Sequence, residues 1–246
     1  MRESSNMSNE VESLAKDSQA AAPGDSAAER WLELCLLLSF AFSGYFLNSL
    51  YMHRHGHSII HFGSKEILSF GIFQEGISLA LVWYLLSRRK LQWKDIGLRW
   101  SVRDLFRGTV VAAASYGAYL ATYHLLIIIH NAYFSSLRFT AEQTAPYGRP
   151  PLISVLFCLL NPFFEELIVR AYLMTEVQAL GSWMLAVGIS TVLQASYHTY
   201  LGWPVAISYA IGFLVFSIYY AHQRRVTPLI LAHGFFDTYW IVLGLI

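Results

Sequence analysis

Seven stretches of mostly apolar residues follow one another along the chain and are separated by shorter polar connections. A helix needs about 20 such residues to cross the hydrocarbon core of a bilayer, and each stretch is close to that length. The pattern therefore predicts an all-α fold, a polytopic membrane helix bundle of about seven transmembrane helices. The stretches lie near 31–50, 67–87, 107–130, 153–179, 182–202, 204–222 and 226–246.

The beginning of the chain lacks this pattern, because it is rich in Ser, Ala, Glu and Asp and has almost no large hydrophobic side chains. Such a segment cannot bury enough apolar surface to offset the entropy of ordering it. We therefore predict a disordered polar tail over 1–29 and a transmembrane helical domain over 30–246. The composition agrees with a membrane protein, since 55% of the residues are hydrophobic and 13% are charged. With a formal net charge of +1, nucleic acid is not an expected partner.

Lysine and arginine cluster in two of the predicted connections. One is "RRKLQWKDIGLRWSVRD" at 88–104, and the other contains Arg224 and Arg225. Both connections lie on the same side of a seven-span bundle, and an excess of positive charge marks the cytoplasmic side. The sequence thus predicts a multi-pass protein of the plasma or inner membrane with a cytoplasmic N-terminus. The long connection at 131–151 is then on the outer side.

The fourth stretch contains "NPFFEELIVRAYL" (161–173), which places three charged residues inside an apolar helix. Ionisable groups are expensive in the membrane and are usually functional. Glu166 and Arg170 are four residues apart and are predicted to pair on one helix face. Glu165, about 100° away around the helix, then points elsewhere as a carboxylate suited to general-base chemistry. Pro162 removes a backbone hydrogen bond and is expected to kink the helix, which opens space for water. The alternative is a structural ion-pair network that joins helices.

The fifth, seventh and second apolar stretches contain further polar residues. His198 lies in the fifth stretch, while His233 and Asp237 share a face of the seventh at a spacing of four residues. A single histidine in such a helix usually forms an interhelical hydrogen bond, but two histidines with a glutamate pair and an aspartate favour activation of water beside a polarised carbonyl. Glu75 in the second stretch is a candidate to line the same cavity or to bond a neighbouring helix.

Three short motifs occur in order on successive apolar helices: "EELIVR" (165–170), "QASYH" (194–198) and "HGFFD" (233–237). They resemble the motifs EExxxR, FxxxH and HxxxN/D of the CAAX prenyl endopeptidase and bacteriocin-processing family, the glutamate-type intramembrane proteases. The resemblance extends over roughly 90–240, and we therefore predict a protease core over about 90–246. Each motif alone is weak, but three in order form a specific signal.

The resemblance implies an intramembrane endopeptidase that hydrolyses a peptide bond without a covalent intermediate, a cofactor or a metal. By that resemblance, Glu165 and His198 hold and activate the attacking water. His233 and Asp237 face the oxyanion of the tetrahedral intermediate. The implied partners are membrane lipid and a peptide or protein substrate, which is lipidated for some members of the family.

The same resemblance assigns supporting roles behind the catalytic groups to Glu166 and Arg170, and we predict such a role for Gln194 as well. Gln194 stands where the family usually has Phe, and we predict that its side chain bonds His198 one turn away. Asp237 stands where many members have Asn. An ionised aspartate repels an oxyanion, so Asp237 is expected to orient a His233 imidazolium or to be protonated itself.

Other functions remain open from the residues alone. Glu165, His198, His233 and Asp237 are also possible metal ligands, which would make the protein a metal-dependent membrane hydrolase. A non-catalytic membrane adaptor or immunity protein would keep the charged cluster as structure. A proton-coupled transporter is less favoured, because the sequence shows no internal repeat.

The histidines of the first outer connection and the two cysteines are not predicted to form a metal site or a disulfide. Alternating histidines in the first outer connection favour a solvated loop over a metal site; they are His53, His55, His57 and His61. The two cysteines lie far apart in apolar stretches, so Cys35 and Cys158 are predicted to be small hydrophobic residues of the core.

Overall fold

The computed structural model describes residues 26–55, 65–133 and 152–243, and within these ranges the chain is helical with no strand. The predicted all-α fold is therefore confirmed. The predicted tail up to residue 25, most of the histidine loop and the outer connection at 134–151 lie outside the described residues. The helices are α1 (Ala27–His55), α2 (Lys65–Arg88), α3 (Arg103–Tyr133), α4 (Leu152–Glu165), a π-helical segment (Glu166–Tyr172), α5 (Leu173–Leu180), α6 (Trp183–Tyr197), a 3-10 turn (Thr199–Leu201), α7 (Trp203–Gln223) and α8 (Thr227–Leu243).

Five of these helices are long and apolar enough to cross a membrane: α1, α2, α3, α7 and the continuous helix Leu152–Leu180 that joins α4, the π-helical segment and α5. The other two predicted spans are helical but shorter, with 15 residues in α6 and 17 described residues in α8. The predicted extent of 182–202 is wrong at its end, because α6 stops at Tyr197. A 3-10 turn and Gly202, whose φ is +87°, redirect the chain before α7, which has Pro204 in its first turn.

The distribution of side chains is that of a bundle surrounded by lipid. Large apolar residues such as Leu50, Phe73 and Val192 are more than 60% exposed, at 66%, 63% and 68%. Polar residues such as Gln194 and Ser217 are buried inside the bundle. The prediction for Cys35 is wrong, since this residue is exposed on the apolar outer face, while Cys158 is half-buried.

The start of α1 is fixed by a reciprocal pair of cap hydrogen bonds. The backbone N–H of Ser26 donates to the Glu29 carboxylate at 2.7 Å, and the backbone N–H of Glu29 donates to the Ser26 hydroxyl at 3.2 Å. This pattern of Ser followed by Glu at the third position satisfies two amides that a helix start leaves unpaired. The helix therefore begins inside the segment 1–29 that was predicted as a tail.

The connection between α2 and α3 is docked against the turn between α7 and α8. The Tyr220 hydroxyl donates to the carbonyl of Ile96 at 2.9 Å, and the Val226 N–H donates to the carbonyl of Gly97 at 3.0 Å. Gly97 has a φ of +91°, and a Cβ built there would lie 2.5 Å from the carbonyl oxygen of Arg224. Only glycine fits this close approach of two backbones.

Replacement of Gly97 by alanine is expected to destabilise the folded protein by about 1–3 kcal/mol or more, because a left-handed backbone and a backbone clash combine. The free energy of unfolding in detergent micelles, titrated with SDS, measures this loss. Gly117→Ala is the matched control, since a Cβ there meets no atom of the described residues within 4 Å. A Gly97→Ala protein as stable as the Gly117→Ala protein would contradict the prediction.

The packing of the helices brings the motif-bearing segments together. Helix α4 packs between α2 and α8, α6 packs on α7, and α3 packs on α7 and α8. Charged residues also join α1 and the turn after α2 to α5, since Arg30 and Arg89 both contact the buried Glu176, at 2.8 and 2.6 Å. The π-helical segment, all of whose residues are buried, lies at the centre of this arrangement.

Candidate functional site

The adjacent glutamates lie at the junction of α4 and the π-helical segment. The chain remains helical through Pro162 and changes from α to π geometry after Glu165. Single π turns inside α-helices occur frequently at functional sites. The predicted pair of Glu166 with Arg170 is present, with 3.5 Å between Oε2 and Nε, and both residues are fully buried.

Glu165 faces α6. Its Oε2 accepts hydrogen bonds from the Tyr197 hydroxyl at 2.6 Å and from Nε2 of Gln194 at 3.1 Å. Its other oxygen, Oε1, accepts no hydrogen bond from any of the described residues. The carboxylate is thus held by one oxygen, and the second oxygen is left for a ligand or water.

Gln194 connects Glu165 to Arg170, since its Oε1 accepts from Nη1 of Arg170 at 2.6 Å while its amide donates to Glu165. The predicted bond from the Gln194 side chain to His198 is therefore wrong. Nδ1 of His198 lies 2.9 Å from the main-chain carbonyl of Gln194 instead. A carbonyl can only accept, so Nδ1 carries the hydrogen and Nε2 of a neutral His198 is an acceptor.

His233 lies between two carboxylates. Its Nδ1 is 2.8 Å from Oε1 of Glu166, and its Nε2 is 3.6 Å from Oδ1 of Asp237. The other oxygen of Asp237 accepts from Nδ2 of Asn161 at 3.0 Å. Two contacts thus link the first motif region on α4 and the π-helical segment to α8, with acidic groups on both sides of the imidazole.

Arg170 is the buried cation at the centre of these groups. It has no exposed surface, and its guanidinium carbon lies 4.9 Å from the centroid of the Phe213 ring. Contact with an aromatic face, a carboxylate and an amide oxygen compensates a charge that would otherwise be very costly to bury. Glu165 interacts electrostatically with both His198 and His233, so the three motifs converge on one site.

Glu75 on α2 is close enough to interact electrostatically with Glu165 and Asp237. It is 1% exposed, and neither carboxylate oxygen has a hydrogen-bond partner among the residues that the structure describes. The interhelical hydrogen bond that was the alternative for Glu75 is not formed with any of them. Glu75 remains a candidate for the wall of the cavity.

Two residues of the site were missed by sequence reasoning. Tyr197 directly precedes His198, and Asn161 precedes Glu165 by one helical turn, so both positions carried a local signal. Their partners, however, lie on other helices. Among the described residues no group of three His, Cys, Asp or Glu side chains is arranged to hold one metal ion.

A comparison with protein families shows which family the motif-bearing region is similar to. Residues 147–239 match the model of the family described as type II CAAX prenyl endopeptidase Rce1-like. This segment is an Rce1-like domain. The family resemblance of the three motifs is thereby confirmed, and the Rce1-like domain contains all of them.

The match begins at residue 147, and the protease core predicted over about 90–246 stays a prediction. Glu75 and the first three helices therefore lie outside the match. Neither a curated protein nor a solved structure matches the chain. The apolar helices are those of an integral membrane protein, and the match to the Rce1-like model supports a membrane hydrolase of the CAAX protease type at the level of the family.

Proposed function

We propose that the protein is a glutamate-type intramembrane endopeptidase that hydrolyses a peptide bond with an activated water and without a metal. The observation that carries this proposal is a pair of unused acceptors on two groups that interact electrostatically. Oε1 of Glu165 and Nε2 of His198 are both left free of described hydrogen-bond donors, while the other atom of each group is fixed by α6. Two acceptors are what a water molecule needs in order to be oriented and deprotonated.

In the proposed reaction the water oxygen attacks the carbonyl carbon while Glu165 accepts one water proton. The tetrahedral intermediate then collapses, the C–N bond breaks, and Glu165 returns that proton to the leaving amine. The products are a new carboxyl group and a new amine, so atoms and protons balance. His198 holds the water in line through Nε2.

We assign to His233 the role of contacting the carbonyl oxygen of the substrate, on the side opposite to the attacking water. Because its Nδ1 donates to Glu166 and its Nε2 faces Asp237, the protonated imidazolium is stabilised by both carboxylates. A positive group there stabilises the negative charge that develops on the carbonyl oxygen. His233 is held in place by Glu166, and Glu165 is held by Gln194. Arg170 contacts both of these supporting side chains.

The proposed substrate is a membrane-associated or lipidated peptide that enters laterally from the bilayer. The support is the burial of Glu165 and His233, which are each 5% exposed, among helices with apolar outer faces. A lipid-attached peptide is expected to be cut faster than its soluble counterpart of the same sequence. Equal rates for the two peptides would argue against lateral entry.

The test of the function is cleavage of a mixed library of membrane peptides in liposomes by the purified protein with a chelator present. Glu165→Gln serves as the matched inactive variant. Cutting by the wild type alone supports the proposed protease. Cutting that the chelator abolishes and added metal restores would favour the metal-dependent hydrolase. An uncut library with both proteins folded would favour the adaptor.

Removal of the Tyr197 hydroxyl is expected to lower kcat about tenfold to a hundredfold, because a hydrogen bond to a charged group contributes about 1.5–3 kcal/mol. The ring should keep its place, since it stacks on Phe42 with centroids 4.6 Å apart. Kinetics of Tyr197→Phe measure the effect. Tyr219→Phe is the control, because the Tyr219 hydroxyl has no described hydrogen-bond partner. Equal kcat values for the two variants would refute this role of Tyr197.

A further inference from the structure

We infer that Asn161 is a catalytic residue whose side-chain amide donates a hydrogen bond to the oxyanion formed when water attacks the peptide carbonyl. This inference rests on the proposed function and adds a residue that lies outside all three motifs. It also gives Asp237 a different task from contacting the oxyanion.

The position of Asn161 suits this role. It precedes Glu165 by four residues on α4, so the two side chains project from the same side of the helix. Its Nδ2 donates to Oδ2 of Asp237 at 3.0 Å. An amide nitrogen carries two hydrogens, and no second side-chain hydrogen bond joins Asn161 to a described residue. One N–H is therefore available, and Asn161 is only half-buried.

The nitrogen donors of Gln194 and Arg170 lie on side chains with no exposed surface, so a substrate carbonyl does not reach them. Nε2 of Gln194 donates to Glu165 itself, and Nη1 of the fully buried Arg170 donates to Gln194. Nδ1 of His233 is engaged by Glu166. Nε2 of His233 and the second N–H of Asn161 belong to residues with some exposed surface, and they lie on adjacent helices on either side of Asp237.

Asp237 explains why this amide is oriented. An ionised carboxylate is an acceptor only and repels an oxyanion, so Asp237 is unsuited to direct contact with the developing charge. Asp237 accepts one hydrogen of Asn161 and faces Nε2 of His233, so it fixes the orientation of both donor groups. An amide held in this way needs no reorganisation when the charge develops.

The experiment compares Asn161→Ala, Asn161→Asp and the exchange variant Asn161→Asp/Asp237→Asn in the peptide cleavage assay. Asn161→Ala is expected to lower kcat about 10²- to 10³-fold, the effect of removing one oxyanion donor, with KM nearly unchanged. Asn161→Asp removes the donor and sets two carboxylates face to face, so its loss should be at least as large. The exchange variant returns an amide and a carboxylate to the same contact, and kcat should recover by about tenfold or more over Asn161→Asp.

Two results would overturn the inference: wild-type kcat in Asn161→Ala, or an exchange variant no more active than Asn161→Asp. Thermal unfolding of each variant identifies a merely structural role, which lowers the unfolding temperature and leaves kcat of the folded protein intact. If Asn161→Asp does not fold, the kcat of Asn161→Ala alone tests whether Asn161 is an oxyanion donor. Glu165-dependent cleavage by the wild type is measured first, so failure of the proposed function is distinguished from failure of this inference, which requires an active wild type.

Discussion

Replacement of Glu165 by glutamine is expected to lower kcat for peptide cleavage by about 10²- to 10⁴-fold, the usual contribution of a general base. Glutamine preserves the shape of the side chain and can still accept from Tyr197 and Gln194 through its carbonyl oxygen. It cannot accept a proton from water, so the loss falls on the chemical step. The unfolding temperature should change little, because Glu165 forms no ion pair with a Lys or Arg among the described residues.

The matched comparison is Glu166→Gln, the same substitution at the neighbouring position. Glu166 contacts His233 and Arg170, so its neutralisation should weaken the folded state as well as activity. Steady-state kinetics and thermal unfolding of both proteins separate the two roles. A Glu165→Gln protein that cleaves at the wild-type rate would exclude Glu165 as the base.

Replacement of Arg170 by methionine is expected to destabilise the fold by about 3–5 kcal/mol, because it leaves partners of a buried charge without compensation. Methionine fills much of the volume but leaves Oε1 of Gln194 without its donor and Glu166 with His233 alone. The free energy of unfolding in micelles measures the loss. Arg107→Met provides the control, since Arg107 is 37% exposed at its side chain and Arg225 also pairs with Asp104. That control should lose no more than about 1 kcal/mol.

The double variant Glu166→Gln/Arg170→Met tests the physical cause. Removing both charges takes away the uncompensated carboxylate, so the double variant should be more stable than the sum of the single losses predicts. Strict additivity would show that the loss comes from packing around the guanidinium and Phe213. Full stability of Arg170→Met would contradict the prediction outright.

Local patterns along the chain predicted the features that depend on short sequence distance. Apolar stretches of helical length predicted the all-α bundle, and a spacing of four residues predicted the pair of Glu166 with Arg170. The same reasoning separated the directions of Glu165 and Glu166, because neighbours on a helix diverge by about 100°. The end of the fifth stretch was misjudged, because hydropathy does not report that the helix stops at Tyr197 and gives way to a 3-10 turn before Gly202.

These local patterns did not predict the side-chain contacts between helices. Gln194 was expected to bond His198 within its own helix, yet its side chain turns to Glu165 and Arg170 on a neighbouring segment. Tyr197 and Asn161 were visible beside the motifs, but their roles depend on which side of α6 or α8 faces α4. A sequence thus determines the periodicity and chemistry of each helix. The rotation, depth and partners of the helices were decided only by tertiary packing, because a buried polar group takes whichever partner the assembled bundle brings within hydrogen-bond distance.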